Sequence, residues 1–346
     1  MSNPVQLLFY ILGCSVMDVI ASSANPVHFY KEVRFPWDVK EDPTCSNSTL
    51  CPTLNYTWQC YFDKLLGMGV KNFVFGGYAI KQNSTIRLDW EPFGHPWDEK
   101  EFEYVKRRSA EKGGKILADF GLYRPATLNR TTFLSSAKDF VKRYPVDGFR
   151  LDLWLNDPDE NIKVVREILD ITKKLGLETA LRFVADEWQI MKKEGLGTIA
   201  DTYFSTLWPS CDKSSPPFNS NQFAKKVITN ATQAGVHLNT FVLEIPLFVP
   251  FRVCNVGGYG YSEAVYDAGA DPRGNGSLLY FYGYHMDPPL YFFSQPRAVE
   301  KVDLADKSGL HGIMLQGDDI SAQDLYPWDK GSLLNALAKK SRSDNV

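Results

Sequence analysis

Short hydrophobic runs alternate with longer amphipathic stretches along most of this chain. The runs predict eight strands, at residues 27–34, 71–79, 115–122, 147–153, 178–184, 201–207, 240–248 and 312–316. Helical periodicity falls between them and is clearest at 99–112, 158–174, 219–234 and 295–307, with a last helix from 331. Asp157 is the expected N-cap of the second of these helices.

Eight strands separated by helices are typical of a (β/α)8 barrel, the TIM-barrel class of α/β fold. The connection between the seventh and eighth strands, about 249–310, is unusually long and rich in glycine and tyrosine. It predicts an ordered excursion on the barrel rim. Loops that follow the strands build the ligand face of such barrels, so candidate chemistry is expected at the strand ends.

The predicted strand at 147–153 has two different faces. Phe149, Leu151 and Leu153 form an apolar face, whereas Arg150, Asp152 and Trp154 alternate with them on the other side. A barrel strand shows this pattern when its inner face carries chemistry or contacts a ligand.

The first residues favour export from the cytoplasm. Residues 5–19 are mostly apolar and small residues follow at 21–24, which predicts a signal peptide at 1–24 and one mature domain at 25–346. The alternative is a buried N-terminal strand or helix. The apolar run is short for a membrane span, so none is expected in the mature chain. Secretion is also favoured by an excess of N-glycosylation sequons, at Asn47, Asn55, Asn83, Asn129, Asn230 and Asn275.

Five cysteines remain once Cys14 leaves with the signal peptide. Cys211 and Cys254 are candidates for one disulfide, and two of Cys45, Cys51 and Cys60 for another, which leaves one cysteine unassigned. No CxxC or histidine spacing suggests a metal site, and no phosphate loop suggests a cofactor. The net charge of −3 argues against a nucleic-acid partner.

The string Asp-Gly-Phe-Arg-Leu-Asp at 147–152 matches the fourth strand of α-amylase-type glycosidases, whose last aspartate is the nucleophile. That resemblance implies a second carboxylate as acid, with Glu187 as a candidate. The family's Asn-His-Asp type motif after strand seven is missing, because residues 243–248 read Leu-Glu-Ile-Pro-Leu-Phe. The string is therefore interpreted as a coincidence at one strand.

The chain as a whole resembles glycoside hydrolase family 18, the chitinases and chitinase-like lectins. The family's fourth strand reads Asp-Gly-x-Asp-x-Asp-x-Glu across 147–154. Similar segments follow the family's order at 115–121, 243–248, 260–265, 282–284, 297–302 and 309–314. The resemblance covers roughly residues 27–340 and implies a (β/α)8 barrel that binds chitooligosaccharide-like glycans.

Family 18 hydrolysis is substrate-assisted: an aspartate orients the acetamide of the sugar and a glutamate protonates the leaving oxygen. Matched by position, Asp147 is the first motif residue and Asp152 the orienting aspartate. Arg150 replaces the middle aspartate, and Trp154 replaces the acid. Indole has no proton to donate at a useful pKa, so the resemblance implies that the hydrolytic motif is degenerate.

Two more departures lie at the same strand ends. The family's Met-x-Tyr-Asp on strand six corresponds to residues 206–209, Thr-Leu-Trp-Pro, and Gln316 occupies the position of the eighth-strand tryptophan under the sugar. Arg150 is expected to point into the barrel and to pair with Asp119, which replaces the family's usual serine, or with Asp147, since an unpaired buried charge is costly. The alternative is that Arg150 extends to solvent at the strand end.

Three functions stay open. The first is a secreted chitinase-like protein without hydrolase activity that binds a glycan or a protein. The second is an active glycosidase that uses Asp152 with a displaced acid such as Glu187 or Asp157. The third is an interaction protein that uses the barrel as a scaffold. The ligand-binding candidates are Asp152, Trp154, Trp208, Gln316 and Asp119, with the tryptophans suited to stacking on sugar rings.

Overall fold

A computed structural model describes residues 27–33, 58–87, 98–120, 127–153, 158–209, 215–250, 258–279, 281–282, 285–286, 290–317 and 324–343. The predicted signal peptide, Trp154, Asp157, Asn47, Asn55 and Cys14, Cys45, Cys51, Cys211 and Cys254 lie outside these ranges, as does the side chain of Cys60. The glycosylation and disulfide assignments at those residues stay predictions.

Eight parallel strands close into a barrel, as the sequence predicts. They are β1 (His28–Val33), β2 (Asn72–Ile80), β3 (Ile116–Phe120), β4 (Gly148–Asp152), β5 (Glu178–Arg182), β6 (Thr202–Thr206), β7 (Phe241–Pro246) and β8 (Gly312–Gln316). Neighbours in sequence pair in order, and β1 hydrogen-bonds to both β2 and β8, which closes the barrel. Each predicted strand coincides with one of these eight.

Helices separate the strands and cover the outside of the barrel. They are α1 (Trp58–Gly67), α2 (Glu99–Ala110), α3 (Arg130–Arg143), α4 (Pro158–Lys174), α5 (Trp188–Lys193), α6 (Asn221–Gln233), α7 (Tyr261–Tyr266), α8 (Gln295–Lys307) and α9 (Leu333–Ser343). Polar side chains fix where several begin: Asp98, Asn129 and Ser220 each accept backbone N–H groups of the first turn of α2, α3 and α6.

The predicted excursion after β7 contains secondary structure of its own. Phe248–Pro250 pairs antiparallel with Gly258–Gly260, and α7 follows. Two further antiparallel pairs join Ser277–Leu278 to Leu290–Tyr291 and Phe281–Tyr282 to His285–Met286. The excursion leaves from the carboxyl end of β7, which places it at the barrel end where the loops form the ligand face.

Strand alternation sends apolar side chains to two separate cores. The outward-facing residues pack under the helices, as Phe149 does against Phe120 and Phe140. The inward-facing residues form a small barrel-interior cluster, Tyr30, Val74, Leu117, Ala180, Phe204, Val242 and Met314. This cluster fills only part of the barrel length, and charged side chains occupy the layer nearer the ligand face.

Gly148 shows how tightly the interior is packed where β4 begins. A Cβ atom there would lie 2.5 Å from the backbone oxygen of Glu178 and 2.8 Å from the side chain of Leu117. The glycine is therefore required for β3, β4 and β5 to approach one another.

In the part of the chain that the structure describes, no helix combines the length and hydropathy needed to cross a membrane.

Candidate functional site

Arg150 lies at the centre of the barrel and is fully buried, with 0% of its side chain exposed. Its Nε donates to Oδ1 of Asp119 at 3.0 Å, its Nη1 to Oε1 of Glu244 at 2.8 Å, and its Nη2 to Oε1 of Glu32 at 3.0 Å. The guanidinium also lies 5.5 Å from the centre of the Phe204 ring. The pair with Asp119 that the sequence predicts is present, and two unpredicted carboxylates complete the cluster.

This geometry excludes the two other positions considered for Arg150. The side chain does not reach solvent, since none of it is exposed. It does not pair with Asp147, because Asp147 precedes β4 at the opposite end of the strand from Asp152. There Asp147 accepts the backbone N–H of Ile116 at 2.7 Å and pairs with Lys106.

The charges in the cluster determine its proton affinities. Burial alone would lower the pKa of Arg150, but the three carboxylates outweigh it and hold the pKa well above its ordinary value. Burial raises the pKa of Glu244 to about 7, although Arg150, Arg182 and a hydrogen bond from Thr206 oppose that rise. Arg150 is therefore always charged, whereas Glu244 titrates near neutral pH.

Asp152 has an ion pair of its own at the end of β4. Nη2 of Arg182 lies 2.5 Å from Oδ2 of Asp152, across adjacent strands whose register places the two residues side by side. The carboxylate is almost fully buried, with 3% of its side chain exposed, whereas Arg182 is 20% exposed. Burial lowers the pKa of Arg182 and Arg150 lowers it further, but Asp152, Glu244 and Asp119 together outweigh them and the net shift is upward.

A cavity of about 360 Å³ opens above this pair at the ligand end of the barrel. Among the described residues its lining is Asp152, Leu153, Arg182, Phe183, Val184, Thr206, Trp208 and Gln316. Trp208 is 41% exposed and its ring stacks on Phe248 at 5.2 Å, with 10° between the planes. A half-exposed, fixed indole on the wall of a small cavity can take up the apolar face of a sugar.

The structure brings three of the sequence-predicted ligand residues, Asp152, Trp208 and Gln316, to the same cavity. Asp119 lies deeper, against Arg150, and does not line it. Glu187, the proposed displaced acid, belongs to the turn after β5 and is also not part of the lining in the described chain. Its Oε2 is nevertheless buried and has no hydrogen-bond partner among the described residues, and burial raises the pKa of the carboxyl.

Four residues of the site are not among the ligand candidates named from the sequence: Glu32, Arg182, Thr206 and Glu244. Of these, Thr206 appears in the sequence analysis only as the first residue of the substituted segment 206–209. Each follows an inward-facing apolar residue by two positions on its strand, namely Tyr30, Ala180, Phe204 and Val242. That spacing places a side chain on the inner face of a strand. A polar residue at such a position is the sequence signal that identifies these four residues.

Four predicted glycosylation sites lie within the described ranges. Asn83, Asn129 and Asn275 are exposed and follow β2, β3 and β7, so they stand at the same end of the barrel as the cavity. Oδ1 of Asn83 and of Asn275 accepts the hydroxyl of its own sequon, each at 2.7 Å. Asn230 differs: it is 8% exposed inside α6, and its Nδ2 donates to Asp186 at 3.3 Å.

The carboxylates that converge in the described part of the chain bind an arginine. No group of three or more His, Cys, Asp or Glu side chains is arranged there to hold an ion. The carboxylates that do converge, Glu32, Asp119 and Glu244, all bind the guanidinium of Arg150. Among the described residues, the site brings together two arginines, four carboxylates and an aromatic wall.

No family model matches the sequence, and no curated protein matches it either. Solved structures do match. A family 18 chitinase from Flavobacterium johnsoniae superposes with a TM-score of 0.59 at 15% identity, over 92% of this chain and 94% of the other. A catalytic domain of the Group II chitinase of Ostrinia furnacalis, in complex with penta-N-acetylchitooctaose, gives 0.59 at 15% over 92% and 97%.

A third match is an agglutinin. The chitinase-like agglutinin of Robinia pseudoacacia superposes with a TM-score of 0.59 at 13% identity, over 81% of this chain and 96% of the other. At these identities the matches establish the fold alone. The chain has the family 18 chitinase fold, and that fold is shared by hydrolases and by an agglutinin.

Proposed function

We propose that this chain is a secreted, N-glycosylated, chitinase-like protein that binds a glycan without hydrolysing it. The observation that carries the proposal is the Asp152–Arg182 ion pair at the floor of an open cavity. A carboxylate tied to a guanidinium at 2.5 Å is poorly placed to orient an acetamide. The cavity above the pair still offers room and an aromatic wall.

The residues at the reaction centre support loss of hydrolysis. Arg150 occupies the middle position of the motif and binds three carboxylates, so that position supplies neither an acceptor nor a proton. Trp154 occupies the position of the acid, and indole does not donate a proton in the accessible pH range. The two residues that family 18 hydrolysis needs beside Asp152 are thus both replaced.

The lining supports a sugar as the ligand. Trp208 presents a fixed aromatic face, while Gln316 and Thr206 offer hydrogen-bonding groups beside it. The volume of the cavity, about 360 Å³, lies at the small end of the range for ligand pockets. The agglutinin from Robinia pseudoacacia and the chitooligosaccharide complex from Ostrinia furnacalis make a glycan the natural first ligand to test.

Two measurements on the purified full chain test the proposal. Release of fluorophore from a fluorogenic chitooligosaccharide, followed from pH 4 to pH 9, is expected to stay at the level of the buffer blank. Binding to a glycan array is expected to be positive, and to fall in the variant Trp208→Ala. Hydrolysis above the blank would overturn the proposal, and silence on the array would favour a protein partner instead.

A hydrolase with a displaced acid is the second candidate, and Glu187 is the observation that favours it. One oxygen of its carboxyl group is buried and has no hydrogen-bond partner in the described ranges. The raised pKa means that the group keeps its proton to higher pH than an exposed carboxyl does. If the fluorogenic substrate is cleaved, Glu187→Gln should abolish the cleavage. Cleavage that survives in that variant excludes Glu187 as the acid.

A further inference from the structure

Of the two charged side chains in the described cavity lining, Arg182 is the more exposed. Its side chain is 20% exposed, whereas Asp152 beside it is 3% exposed, and Asp119, Glu32 and Glu244 lie below at 5%, 4% and 0%. Within the described lining, a ligand that enters the cavity therefore meets a guanidinium before it meets a carboxylate. The family 18 motif places acidic residues at this site, whereas the more exposed charge here is positive.

Most hydrogen-bond donors of Arg182 are not used within the described chain. Only Nη2 donates there, to Oδ2 of Asp152. A guanidinium carries five N–H donors in a planar fork, so Nε and Nη1 remain available on a side chain that reaches the cavity. A planar fork with parallel donors matches the two oxygens of a carboxylate better than any neutral sugar group.

We propose that Arg182 makes this cavity a subsite for a sugar that carries a carboxylate, such as a hexuronic acid. The apolar ring face of that sugar lies against Trp208, and its carboxylate accepts from Arg182. Gln316 and Thr206 stand among the lining residues that can meet the hydroxyl groups. The inference rests on the proposed glycan binding and names the class of glycan.

The charge balance of the barrel interior makes this binding dependent on protons. Six charged side chains of the described strands meet there, two guanidiniums and four carboxylates: Arg150, Arg182, Glu32, Asp119, Asp152 and Glu244. The interior already has an excess of negative charge, and a bound carboxylate adds one more. Uptake of one proton by the cluster compensates for it.

Glu244 is the group placed to take that proton. It faces Arg150 from β4, Arg182 from β5, Thr206 from β6 and Glu32 from β1, with Asp119 of β3 on the far side of Arg150. Its pKa of about 7 means that it is roughly half protonated at neutral pH. Binding of an anion raises that pKa further, so the affinity for the anion falls as pH rises above 7.

A matched pair of ligands tests the subsite directly. Methyl β-glucuronide and methyl β-glucoside differ only in the carboxylate that replaces the hydroxymethyl group. In an NMR titration of the full chain at pH 6, the glucuronide is expected to bind at least tenfold more tightly. Equal binding, or tighter binding of the glucoside, overturns the inference.

Variants separate the role of Arg182 from a structural one. Arg182→Gln alone leaves Asp152 without its cation and can unfold the chain, so Arg182→Gln is combined with Asp152→Asn. The double variant is expected to bind both glycosides equally. Asp152→Asn alone removes the competing carboxylate and is expected to tighten glucuronide binding. Arg107→Gln, at an exposed arginine on α2, is the matched control and should leave the preference unchanged.

Calorimetry in buffers of different ionisation enthalpy tests the proton uptake. Glucuronide binding at pH 7.5 is expected to take up part of a proton in the wild type and none in Glu244→Gln; equal uptake in both overturns this assignment. If neither glycoside binds but a neutral chitooligosaccharide does, the inference fails and the proposed function stands. If no glycan of either class binds, the proposed function fails as well.

Discussion

Asp119 and Arg150 face each other on adjacent strands, and Nε of Arg150 donates to Oδ1 of Asp119 at 3.0 Å. The sequence alone suggested this pair, because a buried guanidinium on an inner strand face needs a carboxylate within reach. The pair lies in a charged layer of the barrel interior, beside Glu32 and Glu244. Its energetic consequences can be measured.

Replacing Asp119 by alanine should destabilise the fold. Arg150 keeps Glu32 and Glu244 but loses one of three partners in a site without water access, and breaking a buried pair on one side costs about 3 kcal/mol or more. Urea unfolding of Asp119→Ala against wild type measures the loss. Asp170→Ala, which removes an exposed carboxylate on α4, should leave the midpoint nearly unchanged. Equal effects of the two variants would contradict this account.

Glu244 should make stability depend on pH in the acid range. The folded chain keeps the proton on Glu244 to about pH 7, whereas the unfolded chain releases it near pH 4.5. Folding therefore binds a proton between these values, and the free energy of unfolding falls by about 3 kcal/mol as pH rises from 4.5 to 7. Glu244→Gln lacks this contribution. The free energy of unfolding of the wild type minus that of Glu244→Gln should fall across that window and stay flat above it. A difference that does not vary with pH would refute the assignment.

Restoring an aspartate at position 150 should not restore a functional site. Arg150→Asp places a fourth carboxylate among Glu32, Asp119 and Glu244 and removes the cation that they share. The variant Arg150→Asp is therefore expected to lose the folded state, and so is the double variant that also carries Trp154→Glu. Adding Glu32→Gln and Glu244→Gln should recover folding, as judged by circular dichroism and thermal unfolding. A stable single variant would mean that the cluster is held by something other than its cation.

Trp208→Ala should weaken glycan binding with little change in stability. The indole is 41% exposed and contacts Phe248 from the cavity side, so its removal exposes an aromatic ring without opening a core. About a tenfold loss of affinity is expected, or on the order of 1.4 kcal/mol. Trp328, stacked on Tyr326 and not part of the described lining, offers the matched control, Trp328→Ala. An unchanged affinity in Trp208→Ala would remove the aromatic wall from the binding site.

Glycan occupancy should differ between Asn275 and Asn230 when the chain is produced in a secretory host. Asn275 is exposed and its carboxamide already accepts the serine hydroxyl of its sequon, whereas Asn230 is buried in α6 with its Nδ2 bound to Asp186. Peptide mass spectrometry is expected to find a glycan at Asn275 and an unmodified Asn230. Asn275→Gln should lower the mass of the intact protein, and Asn230→Gln should not remove a glycan. A glycan at Asn230 would require that α6 forms after modification.

The fold was predictable from the sequence because barrel strands are short, apolar on the outer face and separated by helices of regular period. That regularity located all eight strands, including β7 and β8 on either side of the long excursion. The sequence did not predict the secondary structure within the excursion. Its paired segments are only two or three residues long, and pairs this short are set by tertiary packing rather than by local pattern.

The site was predictable only where one strand carried several unusual residues. Arg150 and Asp119 lie on neighbouring strands, so their contact followed from the barrel order. The contacts of Arg150 with Glu32 and Glu244 run across the barrel interior between strands that do not adjoin β4. Which inner-face side chains meet across a barrel depends on the tilt and stagger of its strands, and those are not read from a linear pattern.

The span of these contacts along the chain bears on how the protein assembles. Arg150 reaches a partner 118 residues earlier and another 94 residues later, and Glu32 also accepts the backbone N–H of Gly317 across a separation of 285. Contacts between such distant segments form late, because the chain loses the entropy of closing a long loop before the contact contributes any stabilisation. Until β1 and β7 both reach the barrel interior beside β4, Arg150 lacks its complete set of carboxylates. Barrel closure and charge neutralisation are therefore expected to be one kinetic event, and a chain truncated before β7 should remain an open, collapsed intermediate.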